Sequence, residues 1–188
     1  MVTKLKSAAP FALIAIFVGA LVPFLFGIAI LTDGFWTFNV NTLSDLGVSP
    51  VEATAMIFNY TCIIAGLLVV IFGIGKLFIR CGYDAASGFF TAIGGILLMA
   101  IGFITEDYST HLPIAYSFFA IMTIAILISA AGDVTKERNI TVAITAIVVV
   151  IILATAFGLN VAGVEVVSVI GMCVWLIAQG FSLVFSKA

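Results

Sequence analysis

Six apolar stretches follow one another along the chain with short polar breaks between them. They cover about residues 9–31, 51–79, 85–105, 112–131, 140–157 and 164–185. Within each stretch the apolar residues are continuous and do not alternate with polar ones. Each therefore reads as a membrane helix and not as a barrel strand. About 20 such residues cross a bilayer as a helix. The pattern predicts an all-α integral membrane protein, a compact bundle of six transmembrane helices in a single domain over residues 1–188. The first stretch follows "KLK" and exceeds the apolar region of a signal peptide, about 7–15 residues, so it reads as a retained helix. The longest break, residues 32–49, predicts a structured loop between the first two helices.

Composition points the same way. Charged residues make up 9% of the chain and hydrophobic ones 64%. A soluble domain carries about 25% charged residues. The net charge of -2 offers no basic surface to nucleic acid. Cys62, Cys81 and Cys173 form neither a CxxC pair nor a disulfide framework and read as packing residues.

Charge placement adds an orientation. Lys4, Lys6, Lys76, Arg80, Lys136, Arg138 and Lys187 all assign to the N-terminal tail, the second or fourth connection, or the C-terminal tail. Basic residues gather on the cytoplasmic side. Both termini are thus expected in the cytoplasm of a cell that carries this multi-pass protein in its membrane. Asp33, Asp45, Glu52, Glu106, Asp107, Glu165 and the lone His111 fall at the other end.

Local patterns predict helix ends and contacts. "SPVE" reads as a capping box, with Ser49 and Glu52 exchanging bonds and Pro50 at the first helical position. Gly47 suits a left-handed residue closing the "TLSDL" turn, and Thr42 a cap at its front. Ser109 or Thr110 is placed to cap the fourth helix, with Pro113 in its first turn. Gly132 and Gly158 suit helix stops, and Pro23 a kink. Gly66 and Gly73, and likewise Gly95 and Gly102, recur on single helix faces. Such faces let backbones approach in lipid, so the second and third helices are expected to meet there.

The first loop carries the candidate chemistry. Phe35, Trp36 and Phe38 suit the headgroup level, which leaves "NTLSDLG" at the mouth of the bundle. Ser44 and Asp45 would then face Asn59, two turns below Glu52, together with Glu106, Asp107 and His111 from the third connection. These six are the ligand-binding candidates, and Asp45 is the one expected to look inward.

"NTLSDLG", "FNY" with Asn59, Gly66, and "GFITED…H" resemble the landmarks of the domain of unknown function 998 family, six-span membrane proteins of bacteria and archaea. The likeness covers nearly the whole chain. The layout is more distantly similar to the Frag1/DRAM/Sfk1 group. This resemblance implies a prokaryotic source, a fold and an orientation, and no established reaction.

The reading favours a protein that binds a membrane lipid or other amphiphile, and leans away from an enzyme. One alternative is a metal-assisted hydrolase with His111, Asp45 and Glu106 around a divalent ion, although HExxH is missing and no cofactor is predicted. Ser44 with His111 and Asp45 is a conceivable nucleophilic set without a nucleophile elbow. A small transporter or channel is the other alternative. Against it, the mid-span polar positions hold Ser, Thr, Asn59 and Gln179, with no charge expected at the bundle centre. Gln179 is expected to bond within the bundle. The oligomeric state is not readable.

Overall fold

The computed structural model describes residues 2–185. Lys187 lies outside the described residues, and so do the side chains of Lys4 and Lys6. The elements are α1 (Val2–Asp33), a short 3-10 turn (Ser44–Val48), α2 (Glu52–Ile79), α3 (Tyr83–Phe103), α4 (His111–Thr135), α5 (Asn139–Thr155) and α6 (Val161–Phe185). No strand occurs among the described residues. Five helices are long and apolar enough to cross a membrane. The sixth, α5, is apolar but has only 17 residues. At 1.5 Å per residue it spans about 26 Å, a little short of a hydrocarbon core of about 30 Å. The fold is an all-α membrane bundle, as the apolar runs predict.

The helices close into a ring. α1 packs on α2 and α6, α3 on α2 and α4, and α5 on α6 and sparsely on α4. The α2–α3 seam is the tightest, and the predicted glycine faces build it. A Cβ at Gly66 would sit 2.6 Å from the Gly95 carbonyl oxygen, and one at Gly95 would sit 2.7 Å from that of Gly66. Gly73 meets Gly88 in the same way, and Gly102 meets the carbonyl of Asn59. Helices in lipid gain nothing from hiding apolar surface from water, so close backbone approach supplies the attraction. The outer surface stays apolar: Phe78, Leu31 and Phe157 are each more than four-fifths exposed.

α1 is helical on both sides of Pro23, where a kink is expected. Several local expectations change. Gly132 lies inside α4, which runs on to Thr135, and its missing side chain makes room for Tyr83 and Asp84. Ser49 and Glu52 form no box. The Ser49 hydroxyl accepts from the Val51 N–H at 3.1 Å and donates to Asp33 at 2.5 Å, and Pro50 precedes the helix. Thr110 stands at the α4 N-cap position without a side-chain cap bond.

The largest difference is electrostatic. Lys76, expected in a connection, is buried inside α2. Its ammonium donates to Gln179 (2.8 Å), Ser87 (3.2 Å) and Ser129 (3.3 Å), and lies 5.6 Å from the Trp175 ring centre. Gln179 in turn donates to Asp133 at 3.1 Å. Asp84, also fully buried, receives Lys136 at 2.9 Å and Arg138 at 2.6 Å, and the Arg138 Nε lies 2.8 Å from Asp133. Charge therefore does enter the bundle, at the end that holds the second and fourth connections. Gln179 bonds within the bundle as predicted.

Candidate functional site

The opposite end is organised by the α1–α2 loop. Thr42 and Asp45 form a reciprocal box around the 3-10 turn. The Asp45 N–H donates to the Thr42 hydroxyl (3.1 Å), and the Thr42 N–H donates to the Asp45 carboxylate (2.8 Å). Asn41 adds a second bond to that carboxylate at 3.1 Å. Thr42 thus caps as expected, and Asp45 is the other half of the cap. The capping box of this region is Thr42–Asp45, displaced from the predicted Ser49–Glu52.

Four ties fix the loop over the bundle. The Trp36 indole donates to the Thr42 carbonyl at 2.7 Å. Asp33, at the end of α1, accepts from Ser49 and from the Phe35 N–H. Asn59 on α2 donates to the Gly47 carbonyl at 3.0 Å. Asn160, between α5 and α6, bonds Asn39 twice, at 2.6 and 3.1 Å. Asn39 adopts φ +62° to make those contacts, a conformation that asparagine tolerates better than most residues. Gly47 is not left-handed as predicted. A Cβ there would lie 2.7 Å from the Asn59 side-chain oxygen and 3.0 Å from the Phe58 ring, so close approach is what asks for glycine. Leu43 and Leu46 anchor the turn in the core.

The turn carries Ser44 against His111. The His111 Nε2 lies 3.0 Å from the Ser44 hydroxyl, and its Nδ1 lies 2.5 Å from the Ile104 carbonyl oxygen. A carbonyl can only accept, so Nδ1 carries the proton. In the neutral ring Nε2 is then the acceptor and the Ser44 O–H the donor. Glu165, one turn into α6, faces the backbone N–H groups of Leu43 and Ser44. Glu106 hydrogen-bonds Asp45. Loss of hydration, then that hydrogen bond, then the charges of Asp45 and Asp107, push the Glu106 carboxyl up to about 7. Two carboxyls can share a hydrogen bond only if one of them holds a proton.

Below the loop a cavity of about 430 Å³ opens between α4, α5 and α6, where the ring is thinnest. Thr42, Ser44, Glu106, His111 and Glu165 line its loop end. Beyond them the wall is largely apolar, through Phe119, Val149 and Ile152 to Met172. Of the six predicted ligand residues, Ser44, Glu106 and His111 reach this wall. Asp45 stands behind it as the cap, Asn59 docks the loop on α2, and Asp107 is exposed in the α3–α4 connection. Thr42 and Glu165 belong to the wall and were not among the six. A carboxylate inside an otherwise apolar run is the signal that marks Glu165. His111, Asp45 and Glu106 are not grouped as a metal-holding cluster among the described residues. Both His111 ring nitrogens face protein partners.

Apolar helices closed into a ring, with a tied-down loop over a lateral cavity, define a multi-pass membrane protein of the all-α class. The chain belongs to the family described as "Protein of unknown function (DUF998)", whose model matches residues 8–182. No curated protein and no solved structure matches it.

Proposed function

We propose that the protein holds a membrane amphiphile in the α4–α5–α6 cavity, with its hydrocarbon along the apolar wall and its headgroup under the α1–α2 loop. The observation that carries this reading is the segregation of the cavity wall: its carboxyl and imidazole groups lie at one end, above a long apolar remainder. The volume falls within the usual range for ligand sites, about 300–1,000 Å³. α6 lines the cavity from Val161 to Met172, about 16 Å at 1.5 Å per residue. One leaflet of hydrocarbon is about half of a 30 Å core, so the apolar section matches an acyl chain of ordinary length.

The headgroup chemistry follows from the charges around it. Glu106, Glu165 and Asp45 gather there, and every Lys and Arg in the sequence assigns to the other end or to the termini. A hydroxylated or ammonium headgroup is complementary, and a bare phosphate is repelled. On the same proposal the basic end faces the cytoplasm and the loop end faces outward, in keeping with the gathering of basic residues on the cytoplasmic side.

Native mass spectrometry from mild detergent tests the reading. The expected result is a lipid retained by the wild-type protein and lost from Ala115→Trp, which fills the cavity from α4. A wild-type protein that carries no lipid and rebinds none contradicts it.

A further inference from the structure

We propose that Ser44 is a nucleophile with His111 as its base, and that the site transfers an acyl group from an ester-linked lipid. This rests on the amphiphile reading for its substrate and on separate geometry for its chemistry. The hydroxyl and the imidazole are both largely buried, share a hydrogen bond of 3.0 Å, and line the cavity together. The Ile104 carbonyl takes the orienting part that a carboxylate plays in a triad. It holds Nδ1–H and so leaves Nε2 free to accept the serine proton. Asp45 is not the third member, because its carboxylate is bound to Thr42 and Asn41.

The step balances within the site. Ser44 Oγ attacks the ester carbonyl carbon, and its proton passes to His111 Nε2. The tetrahedral intermediate collapses with cleavage of the ester C–O bond. His111 returns the proton to the departing alcohol, which leaves an acyl-Ser44. Water or a second alcohol then attacks that acyl group, gives its proton to His111, and restores the serine hydroxyl. The Leu43 and Ser44 N–H groups, which face Glu165, are donors of the kind that stabilise a developing oxyanion. A carbonyl oxygen entering beside Ser44 would take them in place of the carboxylate. Acyl transfer is favoured over phosphoryl transfer because, among the described residues, no Lys or Arg lines the cavity to neutralise a phosphate.

The test uses an alkyl fluorophosphonate on the full-length protein in mild detergent, read by intact and peptide mass spectrometry. The expected result is one adduct on Ser44, with the exposed Ser109 and Ser117 unmodified. The adduct is absent from Ser44→Ala. It forms at least about 100-fold more slowly in His111→Asn, the low end of what a general base contributes. No Ser44 adduct in the wild type, or equal labelling of Ser109 and Ser117, overturns the proposal whether or not His111→Asn folds. A folded His111→Asn that labels at the wild-type rate does so too. Failure of the two readings is distinguishable. Lipid retained without labelling leaves binding and removes the nucleophile. Labelling without any retained lipid leaves the nucleophile and removes the resident amphiphile.

Discussion

The two ends of the bundle treat polar groups inside helices in opposite ways. At the basic end, Lys76, Ser87, Ser129, Asp133 and Gln179 bind one another across α2, α3, α4 and α6, and Lys136 and Arg138 close over Asp84. At the loop end, α4, α5 and α6 stand around a cavity, and the polar groups lie along its wall. The first arrangement spends its donors and acceptors internally and acts as a clamp. The second leaves carboxyls and an imidazole beside space that a ligand can enter. Buried ionisable residues in a membrane protein suggest function by default. Here the more numerous buried charges are structural, and the sparser set beside the cavity carries the candidate chemistry.

Substitutions can separate the two roles. Asp84→Ala removes the shared partner of Lys136 and Arg138 in a fully buried position. Breaking a buried pair in this way costs about 3–5 kcal/mol, so a large fall in detergent melting temperature is expected. A melting point within error of wild type would break the clamp description. Gly95→Leu drives a side chain into the Gly66 backbone and should cost about 1–3 kcal/mol, as overpacking does. An unchanged melting curve would mean that the α2–α3 seam yields freely. Ala115→Trp should lower retained lipid with a smaller change in melting temperature than either, since it enters open space. Equal loss of lipid and of stability would make the cavity a packing feature.

The smallest effect is a pH slope. The Glu106 carboxyl titrates near 4.5 when unfolded and is pushed up to about 7 in the folded protein. The folded state therefore binds more protons between those values, and stability is highest below about 4.5 and falls as pH rises to about 7. Glu106→Gln should flatten that part of the melting profile. A wild-type profile that rises over the same window would contradict the sharing of a proton with Asp45.

Much of the fold was legible because lipid imposes a coarse rule, about 20 apolar residues for each crossing. The glycine faces of α2 and α3 were legible for a similar reason, since small residues on one face have few other uses in lipid. Lys76 was misread because a lysine near the end of an apolar run looks like a marker of topology. It lies three residues after Gly73, on the face that meets α3, and that spacing was the available sign of its burial. Ser44 and His111 were picked out by their place at the loop end. The sequence set them together as a conceivable nucleophilic pair, but the hydrogen bond itself was not legible, because it depends on how the 3-10 turn seats Leu43 and Leu46 in the core. Asp45 was expected to face a ligand, whereas its spacing from Thr42 is that of a capping pair.

A density map of the protein in lipid nanodiscs tests the central claim most directly. The account predicts an elongated hydrocarbon density from Met172 toward Phe119, ending in a headgroup within hydrogen-bonding reach of Ser44, Glu106 or Glu165. A cavity collapsed by closure of α5 onto α4, or filled by ordered water along its apolar wall, would contradict it.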